Sequence, residues 1–294
     1  LNARPLDYGL REAVRVPTNQ PALQGALAGD GERLTGQDSA RASLELVEEI
    51  PSRLYAMLRD RELDAALISS VECLRNPERF AYCATVGVCA RREAYSIVYI
   101  RRRRSGRGAD PRSVPARDFT TPVRRILADT GSRSSIALLQ SLYFQANGVL
   151  PVIETESPER IAARLGPDDG GLLIGDGALD FLDRTGAESE PAFEILDLAR
   201  WWHESEGLPF VFALWAYPIE RPLADRVFEE SLAAGEANMD RIIAAADRGD
   251  ARSYLTDNLH YRLGPLELSA LERFRQRLAE AGLLTTDRIQ SGSP

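Results

Sequence analysis

Lysine is missing altogether from this chain of 294 residues, so all 36 basic side chains are arginine. That excludes chemistry needing a side-chain amine: no internal Schiff base, no pyridoxal-phosphate lysine, no P-loop lysine. An anion must be met by guanidinium, whose planar fork suits a carboxylate. Cysteine is scarce too. Cys73, Cys83 and Cys89 are an odd set with no Cys-x-x-Cys spacing, and they read as small buried hydrophobes in a reducing compartment. Two histidines, His203 and His260, lie far apart, which excludes a zinc centre of His and Cys ligands. His203, beside Trp201 and Trp202, reads as a packing or surface residue. No apolar run approaches the ~20 residues of a spanning helix, and no secretory leader is visible. A net charge of −8 argues against a nucleic-acid binder, whose affinity comes from phosphate neutralisation. These absences predict a cytoplasmic protein with no metal, no cofactor, no nucleic acid and no membrane partner. They leave oligomeric state open.

What is present suits a globular protein: 44% hydrophobic and 27% charged residues, over a length that accommodates two cores. There is no internal repeat. Residues 17–42, rich in Gly, Gln, Asp and Ser, and residues 101–115, RRRRSGRGADPRSVP, read as loops. Between them, strands and helices alternate. Strands are expected at 44–48, 63–68, 82–88, 95–100, 125–128, 149–153, 172–174, 193–196 and 208–215. Helices are expected at 51–59, 135–145, 158–164 and 199–206, and helical chain from Pro222 onward with breaks near Gly235, Gly249 and Gly264-Pro265. Such alternation predicts an α/β protein with two mixed, mainly parallel sheets flanked by helices. The chain passes into a second lobe near residue 97 and returns on the strand at 208–215. Lobe one is then 1–96 with 212–294, and lobe two is 97–211. Two α/β lobes joined by two crossings resemble the type-2 periplasmic-binding-protein fold, which receptors, regulators and some enzymes share.

Ligands of open parallel sheets bind beyond the carboxyl ends of strands. That rule selects Asn2 and Arg4, Ser69 and Ser70, the run Thr130-Gly131-Ser132-Arg133-Ser134-Ser135, and Gly175 with Asp176. Each has a bland alternative. The serine run caps a helix or offers free backbone N–H groups to an anion. Ser69 and Ser70 cap a short helix or touch ligand. Asp176 caps a helix or works in the site. Asn2 and Arg4 open a helix or face the ligand. Arg4 and Arg133 are counter-charges or members of structural ion pairs.

At those same places the sequence resembles the chorismate dehydratases of the futalosine route to menaquinone. Leu1-Asn2-Ala3-Arg4-Pro5-Leu6 resembles their opening motif. Residues 64–72 (DAALISSVE), 172–179 (LLIGDGAL) and 207–216 (GLPFVFALWA) are similar to further signatures, as is the tail from Tyr254 to Leu266 with Asn258, Tyr261, Gly264 and Pro265. The likeness covers nearly the whole chain. Residues 17–42 stand outside it as an insertion, and the family's first strand would precede Leu1.

The resemblance implies a hydro-lyase that converts chorismate to 3-[(1-carboxyvinyl)oxy]benzoate and water. It implies Asn2 as a polarising group at the reacting ring and Asp176 or the substrate's own enolpyruvyl carboxylate as proton acceptor. Arg4, Ser69, Ser70, Thr130, Gly131, Ser132, Arg133, Ser134, Ser135 and Gly175 would bind substrate. A sister family, the 1,4-dihydroxy-6-naphthoate synthases, carries a histidine base where Gly175 stands here. A solute-binding receptor for a small carboxylic acid is the alternative from another class.

Overall fold

The computed structural model describes residues 1–15, 44–103, 121–129, 131–186 and 192–285. Two sheets organise them. The first holds β1 (Ala66–Ser69), β2 (Phe80–Ala90), β8 (Phe210–Pro218) and β9 (Leu259–Arg262), in the order β1-β8-β2-β9. The second holds β3 (Ile97–Arg102), β4 (Arg125–Ala128), β5 (Ile153–Thr155), β6 (Asp169–Ile174) and β7 (Phe193–Asp197), in the order β5-β4-β6-β3-β7.

The expectation of mainly parallel sheets needs correcting. Only β5-β4-β6 is a parallel set. All pairings in the first sheet, and both made by β3, are antiparallel. The cause lies in the two strands on which the chain changes sheet. β3 and β8 run against their neighbours and wedge between strands that share one direction, β6 and β7 in one sheet and β1 and β2 in the other. Alternation of strand and helix reveals the direction of those neighbours but not the insertion between them.

The helices follow from local chemistry. α1 (Arg4–Arg15) carries Asp7 in its first turn, which suits the positive end of the helix dipole. α2 (Pro51–Arg59) and α5 (Pro158–Arg164) have proline at the first turn, where its missing N–H costs nothing. α3 (Ser70–Arg75) follows β1 directly. α4 (Arg133–Asn147) opens on the Ser132 cap and stops at Gly148, φ 70°. α6 (Asp176–Gly186) follows β6. α7 (Leu198–Glu206) is capped by Asp197, whose carboxylate accepts from Ala199 and Arg200 N–H. α8 (Asp225–Ala237), α9 (Met239–Ala245), α10 (Ala251–Ser253) and α11 (Pro265–Glu280) complete the set.

Several sequence expectations shift. Residues 44–48 form no regular element and pair with no strand among the described residues. Arg101 and Arg102 belong to β3 rather than to a loop: Arg101 is buried, and Arg102 donates to the Leu165 carbonyl at 2.6 Å. The rest of that basic run, 104–115, lies outside the described residues, as does the insertion at 17–42. The helical tail is broken by a five-residue π-helix, Tyr254–Asn258, and by β9, neither of which the sequence pattern signals. All three cysteines are free and buried, and burial pushes their thiols up. No helix among the described residues is long and apolar enough to cross a membrane.

One packing contact fixes the amino terminus. α1 lies against α8 so closely that a Cβ on Gly235 would sit 2.0 Å from the Pro5 carbonyl oxygen. Ser231 of α8 inserts its hydroxyl into the α1 ladder, donating to the Leu6 carbonyl at 2.7 Å and accepting from Leu10 N–H at 3.2 Å. Asn2 and Arg4 are carried by the end of the helix so held.

Candidate functional site

A cavity of about 750 Å³ opens where the two sheets meet. Seven of the residues selected from sequence line it: Asn2, Arg4, Ser69, Gly131, Ser132, Gly175 and Asp176. Three strand ends deliver most of them. Ser69 ends β1, Gly131 and Ser132 join β4 to α4, and Gly175 joins β6 to α6. Gly175 has φ 61°, a left-handed conformation that glycine adopts without steric cost, and it turns the chain from strand to helix at the cavity wall.

Four selected residues do not line the cavity. Ser70, fully buried, donates to the Val211 carbonyl at 2.7 Å and pairs with Ser134 Oγ at 3.1 Å. Ser134 Oγ also accepts from Val71 N–H at 3.1 Å. With Ser70 spending its proton on Val211, Ser134 must be the donor between the two hydroxyls. The pair therefore ties the start of α3, after β1, to the start of α4, after β4. Arg133 joins the same tie: its Nε lies 2.9 Å from Glu72 Oε1, and its guanidinium sits 5.3 Å over the Tyr55 ring. Glu72 is fully buried between Arg133 and Arg75; burial pushes its carboxyl up, and the two guanidinium groups work against that. Ser135 donates to Ser132 Oγ at 3.0 Å. Thr130 lies outside the described residues. His203 stands on α7 near the Leu208 carbonyl, 3.4 Å from its Nδ1, away from the cavity.

The helix end at Ser132 answers the choice between cap and anion site in part. Ser132 Oγ accepts from Ser135 N–H at 3.4 Å, a long cap bond that leaves the first turn weakly satisfied. Asp129 takes the Gly131 N–H at 2.8 Å, and burial pushes the Asp129 carboxyl up.

Sequence reasoning missed Ser96, Ile97, Phe212, Trp215 and Tyr254, all on the cavity wall. Ser96 precedes β3, and its carbonyl accepts from Gly175 N–H at 2.7 Å. Because β3 runs against β6, its amino end lies beside the carboxyl end of β6, with Ile97 opposite Ile174. A search of carboxyl ends passes over it. Tyr254 opens the π-helix and donates its hydroxyl to Ser96 Oγ at 3.0 Å. Burial pushes its phenol up to about 12. A π-turn is rare and recurs at functional sites, but its residues carry no sequence signature.

The mouth is charged. Arg4 lies 3.5 Å from Glu48, and Arg11 pairs with Asp7 at 2.7 Å and with Glu48. The segment 44–50 thus straps across one side of the cavity. Deeper in, the wall offers hydroxyls, an amide and a helix end beside apolar Phe212, Ile97 and Trp215. The wall thus combines hydroxyls, an amide and apolar rings with Arg4, Arg11 and the carboxylates of Asp7, Glu45, Glu48, Glu49, Asp129 and Asp176, in a cleft of a size to hold a small molecule.

Comparison with known proteins agrees. Residues 1–280 match the family described as Menaquinone biosynthesis. The chain is 24% identical over 241 residues to a chorismate dehydratase of Campylobacter jejuni, covering 80% of this chain and 83% of the relative. It is 29% identical over 187 residues to a chorismate dehydratase of Thermus thermophilus, covering 60% of this chain and 62% of that relative. Among solved structures, protein AF1704 from Archaeoglobus fulgidus superposes with a TM-score of 0.56 at 20% identity, over 81% of this chain and 86% of its own, a likeness of fold. With its sequence matched from residue 1 to residue 280, the chain belongs to the menaquinone biosynthesis family.

Proposed function

We propose that the protein is a chorismate dehydratase, a hydro-lyase that forms 3-[(1-carboxyvinyl)oxy]benzoate and water in the cytoplasm. Chorismate carries one carboxylate on its cyclohexadiene ring and a second on its enolpyruvyl ether. Its dehydration removes a ring proton beside the enolpyruvyl ether and the neighbouring hydroxyl. Conjugation with the ring carboxylate acidifies that proton, and aromatisation drives the products. The protein therefore needs to hold the molecule and steady the departing oxygen.

The observation that carries this reading is the convergence of Asn2, Ser69, Ser132, Gly175 and Asp176 on one cavity. The α4 end and the hydroxyls of Ser69 and Ser132 take one carboxylate. Arg4, exposed at the mouth, meets the other once Glu48 yields it. Arg133 is already engaged by Glu72 and Tyr55, so it acts through the position of Ser132 rather than by contact. Asn2, whose amide is no general base, polarises the reacting edge. Proton transfer falls to Asp176 or to the enolpyruvyl carboxylate of the substrate itself. An ionised Asp176 would repel the dianion, which favours the substrate's own group. The two sheets stand for two lobes, 1–96 with 212–294 and 97–211, whose approach excludes water.

Incubating the purified protein with chorismate and following loss of water by mass spectrometry tests the reading. Turnover is expected, and Asn2→Ala should abolish most of it while the protein stays folded. Unchanged chorismate rejects the assignment. Full activity in Asn2→Ala rejects the role given to that residue.

A further inference from the structure

Tyr254 sits in a hydrogen-bond chain whose direction can be read from its atoms. A phenol has one proton, and Tyr254 gives it to Ser96 Oγ at 3.0 Å. Ser96, having accepted, keeps its own proton. Ser96 lines the cavity, and among the described residues no acceptor takes that proton. Both donors thus point the same way: Tyr254 to Ser96, Ser96 to whatever fills the cavity.

The chain is stiffly mounted. Tyr254 and Ser96 are 3% and 2% exposed, and bonds in such surroundings polarise one another. Tyr95, directly before Ser96, is held at φ 60°, a left-handed conformation that strains a bulky residue. Asp197 holds it there, accepting from Tyr95 N–H at 2.6 Å and from Ala94 N–H at 3.0 Å. Strain maintained beside one serine is explained if the aim of that serine matters.

We infer that Tyr254 is a positioning residue. Its hydroxyl, given to Ser96, turns the Ser96 O–H onto the hydroxyl group that leaves the substrate. The inference rests on the dehydration reading. In that reaction the electrons of the ring C–H bond form the new double bond, and those of the C–O bond leave with oxygen. The Ser96 O–H hydrogen-bonds the departing oxygen. The proton taken from ring carbon by the acceptor carboxylate completes the water, so Ser96 and Tyr254 end unchanged.

The test pairs two buried tyrosines. Tyr254→Phe removes the hydroxyl and keeps the ring. Tyr261→Phe does the same nearby, at a hydroxyl with no partner among the described residues and no place on the cavity wall. With chorismate, Tyr254→Phe should lower kcat by about a hundredfold and leave KM within about threefold. Tyr261→Phe should retain wild-type kcat. Ser96→Ala should lower kcat to the same degree, with no further loss when Tyr254→Phe is added, and in spectra of ¹³C-labelled tyrosine it should move the Tyr254 ring signals and leave those of Tyr261. Wild-type kcat in Tyr254→Phe overturns the inference, as do equal losses in both tyrosine variants, additive losses with Ser96→Ala, or an unmoved Tyr254 signal. A wild-type protein inert toward chorismate rejects the proposed function instead. The Tyr254 signals then still decide whether its hydroxyl is held by Ser96.

Discussion

Replacing Gly235 by alanine sets two effects of opposite sign against each other. Alanine is favoured over glycine inside a helix by about 1 kcal/mol, so on propensity α8 should gain. Packing says otherwise. The new Cβ would lie 2.0, 2.7 and 2.9 Å from the carbonyl oxygen, carbonyl carbon and Cα of Pro5. All three are backbone atoms of α1, and no side chain can rotate to relieve them. Clearing even 3.0 Å from the oxygen requires α1 to retreat by about 1 Å, which also stretches the Ser231 bridge between Leu6 and Leu10. Overpacking of this kind costs about 1–3 kcal/mol or more, beyond the propensity gain. Urea unfolding should show a lower midpoint with an unchanged slope, and Tm should fall by roughly 3–10 °C. Because Asn2 rides on the displaced helix end, turnover should fall by up to about a hundredfold even where the variant is folded. Gly249→Ala, with no atom within 4 Å of its Cβ, is the matched control and should stay within about 0.5 kcal/mol of wild type. A Gly235→Ala protein as stable as wild type would refute the close crossing of α1 and α8.

Arg4→Ala should raise KM for chorismate by about tenfold with little change in kcat, since it removes binding shared by ground and transition states; steady-state kinetics decide, and an unchanged KM rejects the contact. Glu72→Ala should destabilise by about 3–5 kcal/mol, because Arg75, its side chain 1% exposed, and Arg133 lose their buried carboxylate; a denaturant midpoint close to wild type would show that the ion cluster holds nothing together. His260 is depressed by burial below its ordinary 6.5, despite the opposing bond to Glu267 at 2.9 Å. A depressed histidine contributes stability present above pH 6.5 and lost as pH falls through its folded value. Unfolding at stepped pH should therefore show the wild type losing more stability than His260→Asn below pH 6.5, and parallel profiles would contradict it.

The sequence made the elements legible where local rules govern. α2 and α5 begin at proline and end where expected, and the apolar run Arg125–Ala128 is a strand to the residue. The site was legible through one rule, that ligands gather at carboxyl ends of strands, which found Ser69, Ser132 and Gly175. The same rule could not find Ser96, because it sits at the amino end of a strand whose reversed direction is a tertiary fact. Tyr254 was hidden for another reason: the π-turn that aims it arises from packing, not from spacing. Ser70 and Ser134 show the converse error. Their residue type fits a carboxylate, yet each hydroxyl is already consumed by the other and by backbone.

That consumed pair bears on how the molecule opens. Behind the cavity the halves are stitched by Ser134 to Ser70 and Val71, shielded from water, with the half-buried Arg133 and its Glu72 partner alongside. At the mouth, the segment 44–50 is held to α1 by Glu48 with Arg4 and Arg11, in reach of solvent, where such pairs contribute about 0–1 kcal/mol each and weaken with salt. Breathing should therefore begin where that segment meets α1, while the seam behind stays shut. Ionic strength, rather than temperature, becomes the lever that sets how quickly a guest gets in.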